Sequence, residues 1–294
     1  MANLKAIRIR IASVKSTRQI TSAMKMVSAA KLRRAQDKIV RLRPYANKLH
    51  EILVGLTQSI ADSEVENIYG RMSSPDKVLI IVITSNRGLC GGFNANVIKE
   101  ARRVVSEKYS DQYRNGNLWV LTIGKKGYDF FRKQKVKMLP EQNNLLNNLT
   151  FENVALAAEQ VMNSYVSLEF DRVEFIYNQF KNAAVQNLTN EVFLPVETVA
   201  PGKVVTTPVD YIYEPDKEAI VKELIPKSLK IQFYKAVLDS FVAEHGARMT
   251  AMHKATDNAT SMIRDLTLLY NKARQSTITN QILEVVSGAE ALKG

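Results

Sequence analysis

The 294-residue sequence predicts an α/β protein in which the N- and C-terminal helices form a long antiparallel two-helix coiled coil, with a central α/β domain between them along the chain. An apolar heptad repeat at each end of the chain predicts the coiled coil. An alternation of short apolar runs with helical patterns predicts the central domain. We place the N-terminal helix and its linker in residues 1–75, the domain in 76–208, and a connecting segment with the C-terminal helix in 209–294.

The N-terminal helix is predicted from a heptad register that continues unbroken from Leu4 to Ile60. Most of its positions are apolar, which is typical of a coiled-coil seam rather than an ordinary surface helix. Pro44 lies inside the register, and a proline within a helix usually kinks or breaks it locally. The polar positions of the seam are Arg18, Thr21, Lys25 and Ser28.

The C-terminal helix shows the same spacing from Ile231 to Leu283. We expect Pro226 in its first turn, where proline fits, after a separate short helix over 216–224. We expect Gly288 to end it, because glycine readily takes the conformation of a helix C-terminus. An isolated helix of this length leaves its apolar stripe in water, so the two terminal helices bury each other's seams. The later seam positions are Met252, Ala255, Ala259, Met262, Leu266, Leu269, Ala273 and Ser276.

The central domain is predicted from short, β-branched apolar runs bounded by turn residues, as buried strands are. The last two runs lie close enough in sequence to pair antiparallel. Strands alternating with helices indicate a small sheet with helices on its faces. The predicted strands are 77–84, 118–124, 172–180 and 184–196, and the predicted helices are 94–109, 125–134 and 151–170, the last with Thr150 as its N-cap.

The net charge of +12 is concentrated at the N-terminus, where residues 1–43 hold twelve Lys or Arg and a single acid, Asp37. This segment predicts an acidic partner. An organelle presequence has a similar composition, but we expect the segment to be retained because its helical pattern continues through any plausible cleavage site. No apolar run reaches the roughly 18 residues of a membrane span. The single cysteine, Cys90, excludes an internal disulfide framework.

The segment SNRGLCGGFNANV (85–97), called here the glycine segment, joins a predicted strand to a predicted helix. Many proteins bind phosphate at such a junction. The segment has neither the G-x-x-x-x-G-K-[ST] spacing of a P-loop nor the G-x-G-x-x-G spacing of a dinucleotide site. Two interpretations follow: an anion cradle of backbone N–H groups beside Arg87, or a tight turn that needs glycine. The spacing favours the tight turn.

The sequence assigns no catalytic, cofactor or metal site. The three histidines, His50, His245 and His253, have no cysteine or acid cluster beside them that would complete a metal-binding set. Cys90 has no histidine near it in the sequence, so we expect a small packed thiol rather than a nucleophile.

The two ends of the chain carry a resemblance to a known family. IRIRIASVKSTRQITSAMKMVSAAKLRRAQ (7–36) and ARMTAMHKATDNATSMIRDLTLLYNKARQSTITNQILEVVSGAEAL (247–292) closely resemble the terminal helices of the gamma subunit of F-type rotary ATP synthases of the bacterial type. The glycine segment resembles the loop of that family's central domain, and DYIYEPD (210–216) resembles its foot.

The resemblance implies a non-catalytic rotor shaft with a Rossmann-like central domain that holds no nucleotide. In the family the coiled coil enters a ring of alternating alpha and beta subunits, which bind ATP, ADP and Mg²⁺, while the domain and foot sit on a membrane ring turned by ion flow. The implied partners are the alpha and beta subunits, the epsilon subunit and the membrane c-ring, with one copy of the chain per complex. The implied location is peripheral, on the cytoplasmic face of the bacterial plasma (inner) membrane.

The resemblance also implies roles for individual residues. Leu283, Val285 and Val286 match the apolar bearing tip that turns inside the ring, and Tyr211 matches a foot residue that touches the membrane ring. The residues that match contacts with the beta subunits are Met24, Lys25, Arg33, Arg34, Arg248, Arg274, Gln275 and Thr279.

Three of these residues also allow plainer roles. Met24 could pack beside the seam, Arg248 could be a seam residue whose charged head reaches water, and Tyr211 could be a loop aromatic.

Two other functions use parts of the sequence. A nucleic-acid-binding coiled coil would place residues 1–43 on phosphates. That segment has no aromatic residue before Tyr45 and no nucleic-acid-binding signature, so we expect no nucleic acid partner. A nucleotide-binding enzyme would use residues 76–208, where a phosphate motif is missing.

Overall fold

The computed structural model describes residues 4–60, 68–71, 74–134, 136–196 and 217–292. The chain divides into two compact units. The helix-pair unit combines residues 1–28 with 249–294, and the sheet unit covers residues 29–248. Two long helices, α1 (Leu4–Ile60) and α6 (Lys217–Ala291), each contribute residues to both units.

Both long helices continue through an internal proline, Pro44 in α1 and Pro226 in α6. The expected separate helix before Pro226 is therefore wrong, because α6 is one helix on both sides of that residue. A proline removes one N–H donor from the helical ladder. The packing of its neighbours offsets that loss, since Ile225 and Leu229 are both buried.

The helix-pair unit confirms the antiparallel pairing. The Thr256 hydroxyl on α6 donates to the Thr21 hydroxyl on α1 at 2.9 Å. One turn further along α1, the Lys25 ammonium lies 3.2 Å from Nδ1 of His253. A later residue of α1 thus meets an earlier residue of α6, which is the pattern of two antiparallel helices.

The burial of α1 follows the predicted heptad register within each unit. Thr21 and Ser28 are buried in the helix-pair unit, and Leu32, Ala35 and Ile39 are buried in the sheet unit. The predicted polar stretch is therefore a real part of the seam rather than a gap in it.

The seam of α6 departs from the predicted register near the end of the chain. Met262 and Leu269 were expected on the seam but are 44% and 49% exposed, whereas Ile263 and Tyr270 are half-buried. A straight α-helix has about 3.6 residues per turn, so its buried face drifts away from a strict heptad of 3.5. The helix also continues to Ala291, so the expected end at Gly288 is wrong. The φ angle of Gly288 is not positive, so this residue does not adopt the left-handed conformation of a glycine that caps a helix.

The sheet unit contains a five-stranded sheet. Its strands are β1 (Val78–Ile83), β2 (Leu118–Ile123), β3 (Lys137–Met138), β4 (Arg172–Phe180) and β5 (Gln186–Leu194). Their order is β3-β2-β1-β4-β5. The pairs β1–β2, β1–β4 and β2–β3 are parallel, and β4–β5 is antiparallel, as predicted.

The helices of this unit follow the predicted order. They are α2 (Phe93–Glu107), α3 (Ser110–Arg114), α4 (Lys125–Phe131) and α5 (Phe151–Val166), with a single 3₁₀ turn at Asn143–Leu146. The predicted N-cap of α5 is confirmed, because the Thr150 side chain accepts a hydrogen bond from the backbone N–H of Asn153. The elements that the sequence missed, α3, β3 and the 3₁₀ turn, are too short to show a periodic pattern.

The core of the sheet unit is built on β1, whose six residues are all buried. Val78, Ile80 and Val82 pack with residues of α2 and α4. The alternate residues of β1 are buried as well, so both faces of this strand are covered. This arrangement explains why β1 is apolar throughout instead of alternating with polar residues.

Candidate functional site

The residues predicted to contact partners lie in both units and do not form one cluster. Tyr211 lies outside the described residues. Arg33, Arg34 and Arg248 belong to the sheet unit. The others belong to the helix-pair unit: Met24, Lys25, Arg274, Gln275, Thr279, Leu283, Val285 and Val286.

Lys25 is half-buried at a seam position and is bonded within the chain. Its ammonium group has donors only, so Nδ1 of His253 is the acceptor in this contact. The carboxylate of Asp257 lies 3.5 Å from the same nitrogen. Met24, beside Lys25, is also half-buried, which leaves part of each side chain on the surface.

A second group of predicted contacts lies further along α6. Arg274, Gln275 and Thr279 are exposed. The Thr279 hydroxyl donates to the carbonyl oxygen of Gln275, one turn earlier, at 3.0 Å. At about 1.5 Å per residue this patch lies roughly 30 Å along α6 from His253, which faces Lys25. The two groups are separate surfaces on one helix pair.

The predicted bearing tip is an exposed apolar helix end. Leu283, Val285 and Val286 are 60%, 72% and 50% exposed. Every residue of α6 from 278 to 291 is exposed in the helix-pair unit, as is the following Leu292. Several large apolar side chains exposed close together, here interspersed with polar residues, are typical of a place where a partner binds.

The arginines of the sheet unit differ sharply from one another. Arg33 and Arg34 are exposed on α1. Arg248 is buried, and its guanidinium donates to the Glu244 carboxylate at 2.5 Å. It also donates to the carbonyl oxygen of Arg87, in the glycine segment, at 2.9 Å. Arg248 is thus bonded inside the chain.

The glycine segment forms a tight turn between β1 and α2. Leu89 and Gly91 adopt φ of 64° and 60°, which is the left-handed region. The side chain of Asn94 closes the turn, because its Oδ1 accepts from the Ser85 backbone N–H at 2.9 Å and its Nδ2 donates to the Ser85 hydroxyl at 2.8 Å. The tight-turn interpretation is therefore confirmed.

Phosphate-binding folds use the free N–H groups at the start of a helix beside the carboxyl ends of parallel strands. Here the first three N–H groups of α4 are already bonded, and side chains supply two of the three acceptors. The bonds are from Lys125 to Asn86 Oδ1 at 3.0 Å, from Lys126 to the Ser85 carbonyl at 3.1 Å, and from Gly127 to Thr84 Oγ1 at 2.8 Å.

Glu174 on β4 is a fully buried acid that the sequence analysis did not single out. Its Oε1 accepts from Lys108 and from the Tyr109 hydroxyl at 2.5 Å each, and from Arg172 at 2.7 Å. Burial alone raises the pKa of this carboxyl, but the three hydrogen bonds outweigh that effect and hold its pKa below the ordinary value. The ionised carboxylate links β4 to the end of α2.

Asp239 on α6 is also buried, but its pKa is shifted in the opposite direction from that of Glu174. Among the described residues, the Arg43 guanidinium of α1 donates to its Oδ1 at 3.2 Å and also donates to the carbonyl oxygen of Phe180, and the charge of Lys235 acts on the same carboxylate as well. Burial raises the pKa of the Asp239 carboxyl more than Arg43 lowers it. Its Oδ2 has no hydrogen-bond partner among the described residues.

Cys90 packs against Phe93 and Ala243, and burial raises the pKa of its thiol. This confirms the expected packed thiol. Within the described part of the chain, no three His, Cys, Asp or Glu side chains come together as a metal site. No helix in that part is long and apolar enough to span a membrane.

Comparison with known proteins identifies the family. An ATP synthase family model matches residues 3–292. The ATP synthase gamma chain of Flavobacterium johnsoniae is 55% identical over 294 residues, covering 100% of both chains. That of Cytophaga hutchinsonii is 52% identical over 294 residues, covering 99% of each. The chain belongs to the ATP synthase gamma chain family. Membership makes it a non-catalytic subunit of ATP synthase.

Solved structures share the fold of this gamma family member. A chain in the rotor of Euglena gracilis mitochondrial ATP synthase, rotational state 1, is similar with a TM-score of 0.63 and 22% identity, covering 94% of this chain and 98% of that one. A chain in the OSCP/F1/c-ring structure of the same enzyme, rotational state 3, gives a TM-score of 0.68 and 21% identity, covering 98% and 94%. The likeness supports the fold: long terminal helices and a central mixed sheet.

Proposed function

We propose that this chain is the central rotor shaft of a rotary ATP synthase. It transmits torque between the ion-driven membrane ring and three catalytic beta subunits, and so couples ion translocation to ATP synthesis or hydrolysis. The observation that supports this most directly is the antiparallel pairing of α1 and α6 through Thr21 and Thr256 in the helix-pair unit. Two helices that bury one another's seam resist bending and twisting better than either helix alone.

The surface of α1 suits a rotating contact. Arg33 and Arg34 are exposed, and ion pairs between exposed groups contribute at most about 1 kcal/mol each and exchange readily with water. Such contacts guide a turning surface without holding it in one position. The basic surface would face the acidic, Asp- and Glu-rich segment of the beta subunits, and Met24 and Lys25 would lie near it.

The end of α6 suits a bearing. Leu283, Val285 and Val286 offer no charge that would fix the helix to one partner, and their exposure leaves them free to slide against an apolar sleeve. Arg274, Gln275 and Thr279, about one to three turns earlier, would contact a loop of the beta subunits. Arg248 is assigned to a beta contact through the family resemblance, although its guanidinium is bonded within the chain.

The remaining parts of the proposal concern the complex. The chain would be present once per complex, on the cytoplasmic face of the bacterial inner membrane, beside the epsilon subunit and the c-ring. Tyr211 in the foot would touch the c-ring. ATP, ADP and Mg²⁺ would bind to the alpha and beta subunits. In the division into residues 1–75, 76–208 and 209–294, the long helices of the first and last parts would form the coiled coil that enters the ring, while the central domain and the foot would sit on the membrane ring.

Co-expression with the alpha and beta subunits tests the proposal. A tag on the beta subunit should recover this chain at one copy per three beta subunits, measured by native mass spectrometry. Membrane vesicles carrying the whole complex should pump ions when supplied with ATP. Failure to recover the chain with beta, or recovery at three copies per three beta, would contradict its role as a single central shaft.

A further inference from the structure

Arg248 joins α6 to the glycine segment of the sheet unit. One terminal nitrogen of its guanidinium donates to Glu244, on the same helix, at 2.5 Å. The other donates to the carbonyl oxygens of Arg87 at 2.9 Å and Gly88 at 3.3 Å. The Arg248 side chain is 9% exposed, so these acceptors take the place of water around a buried cation.

The surroundings hold the guanidinium in one orientation. Burial raises the pKa of Glu244, while the charge and hydrogen bond of Arg248 lower it, as does Lys31 on α1. His245, next to Glu244, has its pKa lowered to about 4 by burial, by Arg248 and by Lys31, so it is neutral at physiological pH. Among the described residues, Glu244, neutral His245 and the Cys90 thiol interact electrostatically with Arg248, and Lys31 acts on Glu244 and His245. Arginine suits this position because its planar fork donates to two different acceptor sets at once.

The glycine segment meets α6 at a second, apolar point. Cys90 and Phe93 form a buried cluster with Ala243, one turn before Arg248. The Cys90 thiol is 2% exposed and accepts from Asn94 Nδ2 at 3.2 Å. The buried thiol lies 4.0 Å from the Arg87 carbonyl oxygen that Arg248 binds, so its reactivity reports whether the segment is packed on α6.

We propose that Arg248 is a positioning residue that clamps the glycine segment to α6, so that the end of β1 and this part of α6 move as one body. The mechanical part of this inference rests on the proposed function as a shaft. The glycine segment follows β1 directly, so a force applied to the sheet reaches α6 through this contact. When the clamp is lost, the turn deforms and the force is not passed on.

The first experiment measures the clamp alone. Arg248→Gln removes the cation, and Arg248→Lys keeps the charge but lacks the fork, so it serves Glu244 or the carbonyls but not both. Arg114→Gln is the matched control, because the Arg114 side chain is 78% exposed. The rate of Cys90 alkylation by iodoacetamide is followed by mass spectrometry of its peptide, on the full chain and in the complex.

We expect Arg248→Gln to raise the alkylation rate about tenfold to a hundredfold, which is the effect of losing one charge-assisted hydrogen bond on a local opening equilibrium. Arg248→Lys should give an intermediate rate, and Arg114→Gln should match wild type. The unfolding midpoint, measured in parallel, separates local release from global unfolding. Wild-type alkylation rates in both Arg248 variants would overturn the clamp. Arg248→Lys keeps a positive charge at this buried position, so it provides this answer even if Arg248→Gln does not fold.

The second experiment measures the mechanical consequence. Ion pumping per ATP hydrolysed is compared in vesicles carrying the same variants. We expect a lower ratio in both Arg248 variants while hydrolysis continues. Faster alkylation with an unchanged ratio would overturn the mechanical part of the inference. If the chain does not assemble with beta subunits, the proposed function fails, but alkylation of the isolated full chain still decides the clamp.

Discussion

Thr21 and Thr256 form a hydrogen bond, 2.9 Å long, between the two long helices of the helix-pair unit. Each hydroxyl also has an acceptor on its own helix: the Arg18 carbonyl for Thr21 at 3.1 Å, and the Met252 carbonyl for Thr256 at 2.8 Å. The bond between the helices therefore sets their register. If one threonine is replaced, the hydroxyl of the other still has the carbonyl acceptor on its own helix.

A double-mutant cycle on this pair should show coupling. We expect Thr21→Val and Thr256→Val each to lower the free energy of unfolding by about 0.5–1 kcal/mol, and the double variant to cost less than the sum by about 0.5 kcal/mol or more. Thr267→Val is the control, because its hydroxyl bonds only to its own helix. Urea denaturation of the full chain measures all four proteins. Strict additivity would mean that the bond contributes nothing to register.

Gly124 should not tolerate a side chain. Its φ is +111°, and a Cβ there would lie 2.2 Å from the carbonyl oxygen of Thr84. We expect Gly124→Ala to destabilise the chain by about 3 kcal/mol or more. Gly288→Ala is the matched control, since that glycine is helical with open space around it. It should stabilise α6 by up to about 1 kcal/mol. Thermal unfolding followed by circular dichroism compares the two.

Glu174 should stabilise the sheet unit at neutral pH and lose that effect in acid. Its folded-state pKa is lower than the ordinary 4.5, so its contribution is complete above that value and disappears as the pH falls through the lowered pKa. We expect Glu174→Gln to cost about 2 kcal/mol at pH 7, with the difference from wild type shrinking below pH 4.5. Urea titrations at several pH values measure this. Glu107→Gln, which changes a 61% exposed ion-pair partner, should show almost no effect.

Asp239 should behave in the opposite sense. Its folded-state pKa is raised by burial above the ordinary 3.8, so the ionised carboxylate weakens the folded state at neutral pH, and stability should increase only as the pH falls through that raised pKa toward 3.8. We expect Asp239→Asn to be at least as stable as wild type at pH 7. Arg43→Gln should cost about 1–2 kcal/mol, because it leaves the buried carboxylate unpaired and the arginine is only half-buried. The double variant should recover most of that loss, and a double variant as weak as Arg43→Gln would contradict the account.

Removing residues 278–294 should leave both units folded and weaken coupling. The described residues of this segment are all exposed, so the unfolding midpoint of the shortened chain should match wild type. Ion pumping per ATP hydrolysed should fall, because the apolar tip no longer engages the sleeve. The Leu283→Asp variant of the full-length chain tests the tip with a smaller change than the deletion, and it should also lower the number of ions pumped per ATP hydrolysed. Unchanged pumping in both would remove the tip from the proposed bearing.

The sequence predicted most of the fold because its periodicity is a local property. The heptad of α1 and the four predicted strands follow from the spacing of apolar residues alone. The end of α6 was predicted out of phase, because a heptad extrapolated from earlier residues does not include the drift of a straight helix toward Ile263 and Tyr270. Pro226 led to a wrong prediction of where α6 begins. The packing of its neighbours, which lets the helix continue through the proline, is a tertiary effect that the sequence pattern does not show.

The contacts around the glycine segment could not be predicted in the same way. Arg248 binds backbone carbonyls about 160 residues earlier in the sequence. Every residue has a backbone carbonyl, so the residue types do not indicate which carbonyls a side chain will bind. Asn94 offered a weak signal, because an asparagine close to a glycine-rich turn often hydrogen-bonds the turn backbone with its side chain. Asn86 offered none, since its acceptor role appears only when α4 is folded beside it.

At the edge of the sheet where related topologies admit a cofactor, amide and hydroxyl groups of this chain occupy the entrance. Asn86 also donates to the Asn143 carbonyl, and the Asn143 side chain accepts from the Gly124 backbone N–H. Hydrogen bonds thus connect three separate stretches of chain: the end of β1, the end of β2 and the 3₁₀ turn. These directional bonds fix the ends of β1 and β2, the start of α4 and the 3₁₀ turn to one another. A displacement of any one of these stretches is therefore resisted by the others, which makes this edge of the sheet a stiff part of the unit.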